Sequence, residues 1–350
     1  MGLPTRSWLK VLPVAAGAGL AATYAYGTAK YHHAAQAGSD VGDAPAPGSP
    51  GFDRLVEVMT GAPVRDGNRV QILRNGAQTF PAMLEAIAGA TTTVDLSSYI
   101  YWPGEITDRF TGALAARARA GVEVNVVVDA WGSAKLDRET VATLRDAGAT
   151  FAYFRKPHWY SAHKLNNRMH RRLLIVDGRI GFAGGVGIAD VWMGDGQDPE
   201  HWRETHVRIE GPAVRDILGG FAENWAEASR TVLGPAHAPK LAGFDDGVDV
   251  QVVRSSASSG GTAASQVFYA AIVGARERLW LMTAYFAPGP AFVDVLCEAA
   301  DRGVDVRVIV NGPHVERRSC AARASAGTAG CSRPAYASSS TSRPCCTQRS

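Results

Sequence analysis

The sequence predicts an α/β protein in which one domain pattern is used twice. Two observations carry this. Short apolar strands alternate with segments of helical period from Val70 onward. The pattern then recurs at an offset of 180 to 186 residues, too long for a solenoid and right for a duplicated domain. Size and composition agree. The chain has 350 residues, of which 46% are hydrophobic and 20% charged. That suits two globular domains and excludes a disordered, collagenous or multi-span membrane chain.

Taken in order, residues 1–33 read as a membrane anchor. Arg6 and Trp8-Leu9-Lys10 precede an apolar run from Val11 to Ala29, close to the ~20 residues of a membrane span. A cleaved signal peptide is the competing reading, with Ala35-Gln36-Ala37 as a small-residue cleavage site. Arg6 and Lys10 outweigh Lys30, which would put the following domain outside the cytoplasm. Residues 34–50 are a linker of small residues.

The first domain is expected over 51–236. Val70–Leu73 is its first strand, and Phe80–Ala90 a helix with Phe80, Met83, Leu84 and Ile87 on one face. Thr93–Tyr101 is a strand, Phe110–Ala120 a helix ending at Gly121, and Val122–Asp129 an apolar strand of the buried parallel kind. Asp129, at its end, stands where open α/β sheets often carry function, or caps a helix. Residues 245–318 repeat the pattern incompletely. Val250–Val253 matches Val70–Leu73, Thr283–Phe286 matches Ser97–Ile100, and Ala299–Val306 matches Ala118–Val124.

The last segment, 319–350, differs from the rest. It holds four arginines, no acidic residue, four of the five cysteines, and no Leu, Ile, Val, Phe, Trp or Met. Such a segment builds neither core helix nor strand. A disordered Ser/Ala tail is the ordinary reading, and a frameshift after Arg318 is the expected one, because the change is abrupt and leaves a parallel sheet half built. Read one nucleotide earlier, the codons of Cys346–Ser350 are compatible with a His-x-Lys sequence. Without the four tail arginines, 36 basic residues become 32 against 33 acidic ones. The body therefore lacks the positive field that nucleic-acid binding needs, and no nucleic-acid partner is expected. Its one cysteine, Cys297, gives no disulfide framework and no metal cluster.

Chemistry concentrates in Asn166–Gly185. Leu173–Val176 and Ile180–Ala183 read as strands joined by a tight Asp177-Gly178 turn. On an extended chain Asn166, Arg168, His170 and Arg172 project to one side. One imidazole and two guanidiniums at one point suit a phosphate: arginines bind its oxygens and the imidazole attacks phosphorus. Asp177 is expected to hold an imidazole in its reactive tautomer. Gly184-Gly185 lets the backbone approach closely. The bland alternative is a solvated basic strand beside a hairpin.

His170-x-Arg172-x4-Asp177, followed by Gly184-Gly185, resembles the His-x-Lys-x4-Asp motif of the phospholipase D superfamily. The flanks resemble its bacterial cardiolipin synthase branch: Asn166-x-Arg168-x-His170, His201-Trp202-Arg203-Glu204-Thr205-His206, Glu210-Gly211-Pro212-Ala213-Val214 and Phe221-x-x-Asn224-Trp225. The resemblance spans roughly Asn68–Arg318. It implies a duplicated α/β/α sandwich with a mixed sheet, phospholipid substrates such as phosphatidylglycerol, and a place at the bacterial cell membrane. It also implies a reaction without metal or cofactor, in which His170 forms a phosphohistidine with a phosphatidyl group. A histidine of the second copy would protonate the departing alcohol, and a second alcohol would take the phosphatidyl group. Hydrolysis by water, or an inactive truncated product, are the alternatives.

Two positions depart from the motif. Arg172 stands where the family has lysine, and Gly187 where it commonly has asparagine. The repeat offset places the second His-x-Lys near residue 350, so two chains pairing their first domains are a further expected route to two adjacent histidines. Lys156–Lys164 mixes aromatics with cations, as either a membrane-docking segment or an exposed loop. His201, His206 and His314 lack metal-ligand spacing and read as core or surface residues.

Overall fold

The computed structural model describes residues 44–156, 168–255, 263–284, 286 and 288–310, with positions 19 and 22. The remainder of the expected anchor, Asn166, and the tail from Ser319 lie outside the described residues. Among the described residues no helix is long and apolar enough to cross a membrane.

In chain order the elements are α1 (Pro50–Thr60), β1 (Arg65–Arg74), α2 (Asn75–Ala88), β2 (Thr93–Ser98), α3 (Glu105–Arg119) and β3 (Glu123–Asp129). Then come α4 (Arg138–Asp146), β4 (Thr150–Phe154), β5 (Leu173–Val176), β6 (Ile180–Gly184), β7 (Thr205–Glu210) and α5 (Val214–Ser229). Last are β8 (Val248–Val250), α6 (Ala263–Gly274), β9 (Arg278–Thr283), α7 (Pro290–Asp301) and β10 (Asp305–Val310). They fall into two compact units, Pro63–Ser258 and a second that joins Met1–Ala62 to Ser259–Ser350.

The unit 63–258 holds an eight-stranded mixed sheet of order β4-β3-β2-β5-β6-β7-β1-β8. β4, β3 and β2 run parallel, and the pairings from β2 to β8 are antiparallel. The parallel strands β2 and β3 are buried on both faces, as a sheet covered twice requires, although one of those faces carries Asp95, Ser97 and Asn125. On one face Val94, Leu96, Val124, Val126 and Val128 pack with Phe80, Ile87, Phe110, Leu114 and Leu144 from α2, α3 and α4. On the other, Val127, Ile175 and Ile209 pack with Val214, Ile217, Phe221 and Trp225 from α5. Burying each such side chain is worth about 1.5–3 kcal/mol. This is the α/β/α layering that the resemblance implied.

Two helices begin before their apolar period does. α3 starts at Glu105 because the carboxylate of Asp190, from a distant loop, accepts the N–H groups of Glu105 and Ile106 at 3.0 Å each. α2 starts at Asn75, a left-handed residue with φ 56°, which exchanges two hydrogen bonds with the backbone of Glu204.

A buried ionic cluster pins the segment after α5 to the sheet. His237 Nδ1 lies 2.7 Å from Asp95, its Nε2 3.0 Å from Glu123, and Asn125 donates to Asp95 at 3.1 Å. Burial alone would lower the His237 imidazole, but Asp95 and Glu123 outweigh it and hold it above its ordinary value.

The second unit repeats part of this plan. β9 and β10 pair in parallel with α7 between them, as β2 and β3 do with α3. Its core gathers Ile272, Phe286, Val295, Leu296, Ala299, Val306 and Val308. Two segments sit differently from their expected domains. Val248–Val250 pairs with β1 as the edge of the large sheet, because Val250 and Val252 pack on the α5 side of that core. Helix α1, capped by Ser49 and ended by left-handed Gly61, packs on α6 and so belongs to the second unit. Cys297, half-buried on α7, is disulfide-bonded, a pairing not anticipated from one body cysteine.

Candidate active site

The hairpin carrying the motif forms as expected. β5 and β6 pair from Leu173↔Ala183 to Val176↔Ile180. Asp177 and Gly178 have φ of 52° and 59°, the positive pair an Asp-Gly hairpin turn supplies. Regular pairing of β5 begins only at Leu173. Arg168–Arg172 is a lead-in that precedes the β5 ladder, held in place by another strand.

That strand is β3. Its last residue, Asp129, is fully buried. One carboxylate oxygen accepts the N–H groups of Trp131 and Gly132, and the other that of Met169 at 3.0 Å. The Arg168 guanidinium lies 3.8 Å away. Asp129 thus ties the end of β3 to the residue beside His170.

Side chains alternate along the lead-in. Met169 is buried in the α5-side core, and Arg171 donates to Gly220 O and pairs with Glu223 on α5. Arg168, His170 and Arg172 leave toward the opposite side. The His170 ring stacks on Tyr99, just past β2, with centroids 4.1 Å apart and planes at 20°. Arg172 spans from the carbonyl of His170, which accepts from Nη1 at 3.3 Å, to the Tyr99 face at 5.7 Å. Burial first, and the Arg172 charge second, push the His170 imidazole below its ordinary value, while Asp129 opposes them. The ring is therefore neutral near pH 7 and its lone pair is available.

The Gly pair makes room for two further side chains. Gly184 faces His206 across the β6–β7 ladder, and a Cβ on Gly184 would lie 2.5 Å from His206 Nδ1. A Cβ on Gly185 would collide with the Glu204 carboxylate. Burial, then Arg172, bring His206 down to about 4, so it is a neutral imidazole beside a guanidinium. At Gly187 the room that an asparagine would need is filled by the Trp192 ring.

Asp177 is not part of this group. The four residues of β5, roughly 13 Å of extended chain, separate it from Arg172. Its carboxylate accepts from the backbone N–H groups of Thr91, Thr92 and Thr93 and the hydroxyls of Thr91 and Thr92, at 2.8–3.1 Å. Partial burial would raise it, but these donors outweigh burial and bring it to about 2. The expectation that it orients an imidazole is corrected: Asp177 clamps the hairpin to the start of β2.

The geometry gathers His170, Arg172, Arg168, Gly184 and Gly185 and adds Tyr99, Asp129, Glu204 and His206. In the sequence Asp129 is marked only by its position at a strand end, Tyr99 by its place in the repeat, and His206 by the flanking motif, where it fits a core or a surface role equally. A buried phosphate-sized charge would meet one imidazole, two guanidiniums and close backbone, at the carboxyl ends of β2 and β3 where open sheets bind ligands.

The fold is similar to that of phosphatidylserine synthase from Haemophilus influenzae, with a TM-score of 0.55 and 13% identity, covering 74% of this chain and 66% of that one. A family model described as "Cardiolipin synthase, PLD-like domain" matches residues 83–217 and 268–339, more than half of the chain, and the chain belongs to this family. The second match runs beyond Arg318 into the segment expected to be aberrant.

Among relatives, cardiolipin synthase A of Pseudomonas fluorescens SBW25 is 36% identical over 249 residues, covering 71% of this chain and 52% of that protein. Cardiolipin synthase of Halalkalibacterium halodurans is 30% identical over 262 residues, covering 73% and 52%. The chain spans about half the length of these relatives.

Proposed function

We propose that the chain is a phosphatidyltransferase of the cardiolipin synthase type, working through a phosphohistidine at His170. The observation that carries the reading is the neutral His170 ring, held flat on Tyr99 and flanked by Arg172 at the end of the sheet. Family membership and the relatives' names support the substrate class.

In the proposed first step a ring nitrogen of His170 attacks the phosphorus of phosphatidylglycerol. A nitrogen–phosphorus bond forms, the bond to the headgroup glycerol breaks, and that glycerol leaves with a proton from a second acid. Arg172 and Arg168 carry the charge on the non-bridging oxygens, which is where their forks are most effective. In the second step the headgroup hydroxyl of another phosphatidylglycerol gives its proton to the conjugate base of that acid and attacks phosphorus. The oxygen–phosphorus bond forms, and the nitrogen–phosphorus bond breaks to release the imidazole. Splitting the exchange needs a nucleophile that is neutral before the step and a good leaving group after it. Pairing of two copies through their first domains is one source of the second acid. The site would face a membrane, where both lipids reside.

The test supplies phosphatidylglycerol to the full chain. Cardiolipin with free glycerol, and an acid-labile phosphoenzyme absent from His170→Asn, support the reading. Phosphatidic acid in place of cardiolipin makes water the acceptor. Absence of both products and phosphoenzyme overturns it.

A further inference from the structure

The mouth of the candidate site carries side chains that the chemistry does not use. Trp131 is 62% exposed although it directly follows Ala130 and buried Asp129. The Arg168 guanidinium lies 5.8 Å over its ring. The next residue, Gly132, backs onto Tyr99 and accepts a hydrogen bond from Trp102 Nε1 at 2.8 Å. Exposed Lys135 holds its ammonium 4.0 Å over the Trp102 ring. At the end of β4, exposed Lys156 sits 4.4 Å over Tyr153. Trp131 and Trp102 adjoin Tyr99 through Gly132, and Tyr153 with Lys156 lies on the neighbouring strand of the same unit, where β4 pairs with β3.

We propose that this rim, Trp102, Trp131, Lys135, Tyr153 and Lys156, is the face that docks on an anionic phospholipid bilayer. The inference rests on the phosphatidyl transfer proposed above and names the surface that would meet its substrate. Tryptophan and tyrosine have an apolar body and a polar handle, and suit the headgroup level. A cation held over such a ring stays at the same depth, where each is worth about 1 kcal/mol against an anionic surface, or roughly fivefold in partition. Charge agrees along the chain. Between Asp146 and Asp177 there is no acidic residue, while Arg155, Lys156, Lys164, Arg168, Arg171 and Arg172 are basic. Carboxylates close to the rim in sequence or by pairing are engaged: Asp129 holds backbone N–H groups, Asp137 caps α4, Glu227 pairs with Arg155, and exposed Glu105 pairs with Arg109. Single-stranded nucleic acid also favours aromatics with cations, but the body's balance of 32 basic to 33 acidic residues supplies no wider positive field.

The experiment places the full chain on vesicles of phosphatidylcholine with or without phosphatidylglycerol, each carrying brominated acyl chains. The Trp131 signal is the difference between wild type and Trp131→Phe. Bromine quenching of that signal on the anionic vesicles, cut several-fold by Lys135→Glu with Lys156→Glu and by high salt, supports the proposal. It is overturned by a Trp131 signal that bromine leaves unquenched. It is equally overturned by charge-reversed variants that quench like wild type, or by a single-stranded oligonucleotide shielding Trp131 where vesicles do not. Turnover of short-chain phosphatidylglycerol below its micelle concentration separates the two readings. Rim variants should match wild type there, and absence of turnover in every protein, with quenching intact, would remove the transferase reading and leave the bilayer contact standing.

Discussion

Replacing Asp177 by Asn separates a clamp from a catalytic partner. The substitution keeps the size of the side chain and tolerates the left-handed φ of 52°, so the turn itself survives. What it loses is a full carboxylate facing five donors on Thr91–Thr93. Lowering the acid from 3.8 to about 2 corresponds to roughly 2 kcal/mol at 1.36 kcal/mol per unit. Asp177 is only partly buried, so solvent screening reduces this to about 1 kcal/mol. The buried Thr93 N–H adds a desolvation cost wherever the amide group turns its own donors toward it. Urea unfolding at pH 7 should therefore show Asp177→Asn less stable by about 1–2 kcal/mol. The sign with pH follows from a depressed folded value. The wild-type advantage is complete above 3.8 and shrinks as pH falls toward 2. His170, observed by NMR, should titrate as in wild type. Equal stability together with a displaced His170 titration would refute the clamp and return Asp177 to the chemistry.

Further expectations concern the row beside Arg172. Gly184→Ala puts a methyl 2.5 Å from His206 Nδ1 and 2.7 Å from the His206 backbone, and should lower stability by about 1–3 kcal/mol in thermal unfolding; His206→Ala in the same chain should recover only part, since the backbone clash remains. His206 titrates at about 4 in the fold against 6.5 ordinarily, so the unfolded chain binds the extra proton between those values. Wild type should lose about 3 kcal/mol relative to His206→Gln as pH falls from 7 to 4, and a constant gap would show that the imidazole is solvated. Asp129→Asn must turn an N–H toward Met169, Trp131 or Gly132; a loss of about 2 kcal/mol together with a His170 ring-current shift is expected, and stability loss without that shift would remove Asp129 from the positioning of His170.

Much of the fold was legible because its signals are local. Leu-Leu-Ile-Val, Asp-Gly and Ile-Gly-Phe-Ala specify the β5–β6 hairpin within eleven residues, and the apolar period of α2 and α3 fixed their buried faces. What was not legible depends on partners far along the chain. Nothing around Glu105 announces that Asp190, 85 residues on, begins the helix. Val248–Val250 carries a strand pattern that fits the start of a second domain or the edge of the first sheet, and only the packing of Val250 and Val252 decides. The Ser49 cap and Gly61 stop mark α1 as a helix, but they do not say that α6 is its neighbour.

The site shows the same division, and it explains why Asp177 belongs to the motif although it lies at the other end of the strand. Side-chain alternation correctly gives direction: Arg168, His170 and Arg172 leave on one side and Arg171 on the other. It gives no distance, and β5 alone keeps Asp177 from the imidazole. Yet the antiparallel register of β2 and β5 runs from Val94↔Val176 to Ser97↔Leu173. Fixing Asp177 on Thr91–Thr93 at one end therefore fixes, at the other, which residue past Ser98 meets the lead-in to Leu173. That residue is Tyr99, and the ring it meets is His170. A slip of one residue would turn every side chain of β5 to the wrong face. A spacing of histidine, cation and aspartate can thus encode register instead of contact. The aspartate touches no imidazole; it holds one end of the register whose other end sets His170 against Tyr99.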